Sequence, residues 1–184
     1  MRRLLTAAVV ACLCVAAVGV RASRGAQDSG ARAKELAAYF DKDKHKVKER
    51  YGVRVEVYLE MRGEPAPKRS PADYTGSYES EPGYPFTLRV GADGAVEGEG
   101  TEPSPTGARR FTLRGARVSG ALLTGTKLYE DGTSERMEAV FINLTTRTSP
   151  NSKGTTAFGL GVVFDPPKDG DGFNMQRLFY ALKR

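Results

Sequence analysis

From Ala72 to Arg184 the chain runs in short stretches that alternate apolar and polar residues, each closed by a turn signal, with no helical run between them. This alternation constrains the fold most, because a period of two residues builds a sheet with one buried face and cannot serve a helix. Tyr74–Ser80 reads as the first strand. Tyr84–Val90 places Tyr84, Phe86, Leu88 and Val90 on one face, and Asp93-Gly94 turns it into Ala95–Thr101. Glu102–Gly107 reads as a proline-containing loop, and Arg109–Arg114 as a strand with Phe111 and Leu113 inward. A long strand, Arg117–Tyr129, turns at Asp131-Gly132 into Ser134–Thr146. Thr155–Phe164 carries Phe158, Leu160, Val162 and Phe164 on one face, with Gly159 and Gly161 opposite. Asp165–Gly172 reads as a loop, and Phe173–Arg184 closes the chain with Leu178, Tyr180 and Leu182 on one side. About eight strands in 113 residues predict an antiparallel meander, closed as a barrel or folded as a sandwich. Closure removes sheet edges.

The residues ahead of this domain follow other patterns. Leu36, Phe40, Val47 and Tyr51 fall on one helical stripe, which predicts a helix over 31–51 stopped by Gly52. Within it, Lys42, Lys44, Lys46, Lys48 and Arg50 are diluted by Asp41, Asp43 and Glu49 and read as a solvated helix face. Val53–Met61 alternates cleanly as a half-buried strand, and Gly63–Pro71, with Pro65, Pro67 and Pro71, reads as an extended linker. The predicted fold class is mainly β: the meander, 72–184, preceded by one α-helix and one strand. Whether strand 53–61 joins the main sheet is left open.

The first 22 residues have the layout of a secretory signal peptide: Arg2 and Arg3, then an uncharged stretch Leu4–Val20, then Ala22 as the cleavage residue. The expected location is secreted or periplasmic, with no stable membrane span after signal cleavage and an N-terminal membrane anchor as the alternative. Both cysteines, Cys12 and Cys14, lie in this segment, so a chain cut after Ala22 has no disulfide and no thiolate chemistry. It also loses three arginines, leaving 25 basic residues against 22 acidic ones, a net charge of +3. That is weak ground for nucleic acid binding, and no nucleic acid partner is expected.

Catalytic signatures are sparse. The single histidine, His45, stands between two lysines with no nucleophile or orienting acid nearby. Gly120–Lys127 nearly spells a phosphate-binding loop, but its lysine comes one residue late and the segment alternates like a strand. Asp165, Asp169 and Asp171 are the weak metal candidates: oxygen ligands for a hard cation, without the terminal glutamate and spacing of a helix–loop–helix site. No cofactor and no enzymatic activity are expected.

The opening Asp73-Tyr74-Thr75-Gly76-Ser77-Tyr78, a Gly-x-aromatic step into the first strand with a basic residue on the last, resembles the calycin pattern of lipocalins and avidins. It is also similar to small lipocalin-like modules of secreted bacterial proteins, including those attached to serine β-lactamase-type enzymes. Tyr78 would take the place of the family's tryptophan, and Arg177 or Arg184 that of the basic residue crossing it. The resemblance implies a small barrel whose interior binds an apolar or amphiphilic ligand, with Tyr78, Phe86, Phe141, Phe158 and Tyr180 facing that ligand and no catalytic residues. The other expectation is a structural or interaction protein of the cell envelope, its barrel filled by side chains and the helix 31–51 with its strand docked on a partner protein or on the barrel itself. Interior volume discriminates the two; small residues such as Gly159 and Gly161 could leave room inside.

Overall fold

The computed structural model describes residues 28–183 apart from Lys68, Asp171 and Gly172, so the expected signal segment lies outside the described residues. A helix, α1 (residues 28–38), comes first. The strands are β1 (Lys42–Arg50), β2 (Val53–Pro65), β3 (Gly76–Ser80), β4 (Pro85–Val90), β5 (Ala95–Ser104), β6 (Gly107–Ser119), β7 (Leu122–Tyr129), β8 (Ser134–Arg147), β9 (Thr155–Gly170) and β10 (Phe173–Leu182). Each strand from β3 to β10 pairs antiparallel with the next, and β10 pairs back onto β3. The meander is therefore a closed eight-stranded barrel, not a sandwich.

Several boundaries differ from the sequence reading. The loop expected at Glu102–Gly107 is a tight connection, since β5 runs to Ser104 and β6 starts at Gly107. The expected strands Arg109–Arg114 and Arg117–Tyr129 are divided elsewhere. A bulge at Gly115 (φ 57°) carries β6 on to Ser119, and the register shifts between Arg114 and Arg117. Inward residues change accordingly from Phe111 and Leu113 to Ala116 and Val118. The near-phosphate-loop Gly120–Lys127 is a turn followed by β7. Asp165–Gly172 is not a loop. Its residues to Gly170 extend β9, with Lys168 opposite Met175 and Asp169 opposite Asn174.

The largest correction falls on the predicted helix. It ends at residue 38, and Lys42–Arg50 is β1, paired with β2 from Lys42↔Met61 to Arg50↔Val53. Tyr51 and Gly52 form the two-residue turn, with φ 55° and 72°. Positive φ at both central residues matches the twist of a tight hairpin. Gly52 thus terminates a strand. The helical stripe joined two elements: Leu36 and Phe40 belong to the α1 region, Val47 and Tyr51 to the hairpin.

Strand β2 does join the sheet. β8 has 14 residues and β7 has 8, so β7 covers only the first half of β8, as far as Val140. The second half would be a bare edge on that side. β2 covers it, from Pro65↔Ile142 to Glu60↔Arg147. The start of the expected linker, Gly63 to Pro65, therefore lies in a strand. Beyond Glu60 the ribbon leaves the barrel, and Val53–Leu59 is paired with β1 alone.

α1 packs on the outside of the wall. Ala33, Leu36, Ala37 and Phe40 are buried against Val140, Ile142 and Leu144, the outward row of β8. Gly161 and Gly63 allow this close approach. A Cβ on Gly161 would lie 2.6 Å from the Phe40 ring, and one on Gly63 would lie 2.7 Å from the Ala37 carbonyl oxygen. Gly159 and Gly161 therefore do not open space inside the barrel. They lie under Phe179 and Phe40 on its outer surface.

Candidate functional site

Four of the five residues expected to face a ligand lie at the centre of the barrel. Tyr78, Phe86, Phe141 and Tyr180 are at most 1% exposed. Phe86 packs edge-on against both Phe111 and Tyr180, each at 5.3 Å, and Tyr78 lies 6.3 Å from Phe141. Phe158, half-buried, stacks on Phe141 at 6.2 Å. Tyr74, from a short 3-10 turn (Pro71–Tyr74), stacks on Phe141 at 4.1 Å and joins the same buried cluster. The Tyr78 hydroxyl donates to the Tyr74 carbonyl at 2.6 Å, and the Tyr180 hydroxyl to the Thr101 carbonyl at 2.7 Å. These rings pack against one another in the barrel interior. The expected basic residue is elsewhere: the Arg177 guanidinium lies 5.7 Å from the Phe40 ring on the outside, Arg69 sits 4.4 Å over Phe158, and Arg184 lies outside the described residues.

The opposite end of the interior holds a charged cluster. Lys127 of β7 and Glu102 of β5 form an ion pair with both side chains 2% exposed. Lys168 of β9 donates to Glu102 and, at 2.7 Å, to Glu135. The Tyr129 hydroxyl reaches Glu102 at 2.6 Å and Glu135 at 2.8 Å. Burial pulls the Lys127 ammonium below the usual lysine range, and Glu102 opposes that pull. For Glu135, burial favours the neutral acid, but hydrogen bonds from Lys168 and Tyr129 and the nearby lysine charges outweigh it and lower its pKa. Two cations face two anions, so the formal charges balance, which suits holding strands together. Sequence reading missed it. The available signal was Lys127 sharing an inward row with Leu123 and Tyr129.

Among the described residues no cluster could hold a metal ion. Asp165 and Asp169 lie on β9 and Asp171 outside the described residues, so the metal candidates gain no geometry. Two open clefts of about 500 Å³ lie on the outer surface. One is lined by outward-facing Thr87, Glu99, Arg110 and Thr112 together with Phe111 and Tyr129, the other by Arg32, Glu35, Tyr39 and Arg136 beside α1.

The remaining feature is the projecting hairpin. Among the described residues the exposed large hydrophobic side chains are Tyr39, Val47, Tyr51, Val53 and Val57; Tyr51 is 90% exposed and Val53 60%. Four of these lie on the hairpin. Opposed residues of an antiparallel pair share a face. The register sets Lys42, Lys44, Lys46, Lys48 and Arg50 opposite Met61, Leu59, Val57, Val55 and Val53. The other face pairs Asp43 with Glu60, His45 with Tyr58, Val47 with Glu56 and Glu49 with Arg54. On that face charges are matched: Arg62 bridges Asp43 at 2.9 Å and Arg54 bridges Glu56 at 2.9 Å. Tyr58 donates to Glu60 at 2.7 Å. Lys42, Lys44 and Lys46 are exposed and form no ion pair with the described residues. Their period of two was in the sequence; only its assignment to a strand was missing.

Compared with known proteins, the chain matches no family model, no curated protein and no solved structure.

Proposed function

We propose that this protein is an exported, non-catalytic interaction module, with a filled barrel as scaffold and the β1–β2 hairpin as the part that meets a partner in the cell envelope. The observation that carries this reading is the distribution of apolar side chains. The barrel interior is occupied by its own aromatic rings, while four of the five exposed large hydrophobics among the described residues gather on one hairpin. Exposed apolar side chains beside an otherwise well-packed domain, here Val53 and Val57 on one face of the hairpin, Tyr51 at its tip and Val47 on the other face, are characteristic of an interaction surface. The interaction expected of a helix over 31–51 passes to this hairpin, because α1 is already committed to the barrel wall. An apolar ligand inside the barrel has less support, because a ligand needs volume that Tyr78, Phe86, Phe141 and Tyr180 occupy.

Site-specific photo-cross-linking in the exporting host tests this. A photo-reactive aromatic replaces Tyr51 at the hairpin tip or, as control, the exposed Glu97 on the barrel wall. The expected result is adducts to envelope components from position 51 and not from 97. Equal adducts from both positions, or none from either, would overturn the reading. So would native mass spectrometry showing a small molecule released from the barrel on denaturation, which would restore the ligand-binding alternative.

A further inference from the structure

We infer that the β1–β2 hairpin docks on an anionic phospholipid surface, laying its lysine- and valine-bearing face against the headgroups. The inference rests on the interaction reading above and names the partner.

The hairpin is two-sided in charge. Five register positions of β1, Lys42 to Arg50, bring basic residues to the side of the β2 column Val53–Met61. The opposite side carries Asp43, Glu49, Glu56 and Glu60 with Arg54 and Arg62, and one exposed valine, Val47. Alternate residues of a strand lie about 7 Å apart, so the basic positions form a row along the ribbon rather than a point. The apolar column beside them is graded. Met61 is packed against the helix cluster, Leu59 is half-buried, Val57 is 38% exposed and Val53 60%. The column thus begins in the protein's own core and runs out into water, ending beside Tyr51 at the tip.

A bilayer interface takes both halves of this pattern at once. Phosphates attract the row of cations, the acyl boundary takes the valines, and an aromatic ring settles at headgroup depth. A polyanion such as nucleic acid would use the cations and leave the valines in water, as would an acidic peptide without apolar side chains. Lysines on a sheet edge also discourage pairing with other edges. Any charge serves that role, so it predicts that glutamate could replace lysine without loss. A lipid surface predicts the opposite.

The test is sedimentation of the full chain with vesicles of phosphatidylcholine or of an equimolar phosphatidylcholine–phosphatidylglycerol mixture. The N-terminal stretch, where retained, carries Arg2, Arg3 and Arg21 and would itself favour anionic vesicles, so the readout is the difference between the parent and the hairpin variants. The expected result is preferential binding to the anionic vesicles, lost as salt rises from about 0.1 M to about 1 M. Lys42→Glu/Lys44→Glu/Lys46→Glu should weaken anionic binding by at least about a hundredfold, at roughly fivefold per cation lost. Val53→Ser/Val57→Ser keeps every charge and should weaken it about tenfold. Both variants alter exposed positions, and an unchanged thermal midpoint verifies that they fold. Equal binding to the two vesicle types, or a charge-reversed variant that binds like the parent, would overturn the inference. If protein adducts still form from position 51 in the host, the interaction reading stands and only the lipid assignment fails. If those are absent too, both fail.

Discussion

Glu102 and Lys127 meet inside the barrel from β5 and β7, with β6 between them in the sheet and both side chains 2% exposed. Their situations differ. Glu102 also accepts from Tyr129 and Lys168, whereas Glu102 is the one hydrogen-bond acceptor for Lys127 among the described residues. Stranding one member of a buried pair costs about 3–5 kcal/mol. Glu102→Leu should therefore cost about that much in denaturant unfolding, Lys127→Met clearly less, and the double variant should recover much of the loss. With Glu102 gone, the Lys127 ammonium has lost the group that raised its pKa toward the usual 10.5. The folded variant then binds fewer protons than the unfolded chain, so relative to the parent it should gain stability as pH rises toward that value. Equal losses from the two single variants would refute this asymmetry.

Tyr74 and Tyr78 make a matched pair of tests at the other end of the interior. The Tyr74 hydroxyl is buried without a hydrogen-bond partner among the described residues, while the Tyr78 hydroxyl donates to the Tyr74 carbonyl at 2.6 Å. Leaving a buried polar group unpaired costs about 1–3 kcal/mol. Tyr74→Phe should raise the urea midpoint by an amount worth about 1 kcal/mol, and Tyr78→Phe should lower it by a similar amount. A destabilised Tyr74→Phe chain would mean that its hydroxyl has a partner in solution.

The helix is held through two glycines and one ring. Gly63→Ala places a methyl 2.7 Å from the Ala37 carbonyl oxygen and 2.9 Å from Phe40 Cβ, contacts that no side-chain rotation relieves. The expected loss is about 1–3 kcal/mol. Phe40→Ala should cost about 3–5 kcal/mol by opening the cluster from the other side. In both variants limited proteolysis should cut first in the α1 region while the barrel persists. Cleavage that begins in barrel turns would show that the helix and barrel unfold together.

Alkaline titration reads the interior directly. Burial raises the Tyr78, Tyr129 and Tyr180 hydroxyls well above the ordinary tyrosine range, and Tyr74 less so. Their folded values exceed the unfolded value of about 10. Stability is therefore unaffected below that pH and falls as pH rises above it, because only the unfolded chain releases these protons. The tyrosinate absorbance should rise in two steps, exposed rings first and the buried ones only as the barrel unfolds. A single smooth rise complete before unfolding would contradict the burial of these hydroxyls.

The chain's local patterns specified the barrel well. Phe86/Leu88/Val90 and Leu160/Val162/Phe164 alternate in a way that fits one buried sheet face and nothing else, and Asp93-Gly94 and Asp131-Gly132 fix where strands reverse. Lys42–Arg50 was ambiguous because its four lysines repeat every second residue while Val47 and Tyr51 also fit a helical stripe. Gly52 fits both a helix end and a hairpin turn. The charged interior pair was hidden because Glu102 and Lys127 are brought together only by barrel closure.

The sequence by itself therefore determined the antiparallel β architecture, the inward aromatic set and the absence of recognisable catalytic motifs, since periodicity, turn chemistry and residue inventory are local properties. Tertiary structure alone decided the rest. The excess length of β8 over β7 recruited β2 into the wall, pairing with β2 made β1 a strand, and that pairing set five basic residues on one side of an exposed apolar column. Each of those outcomes depends on which distant segment supplies the hydrogen-bond partner, and a single strand's pattern carries no record of its neighbour.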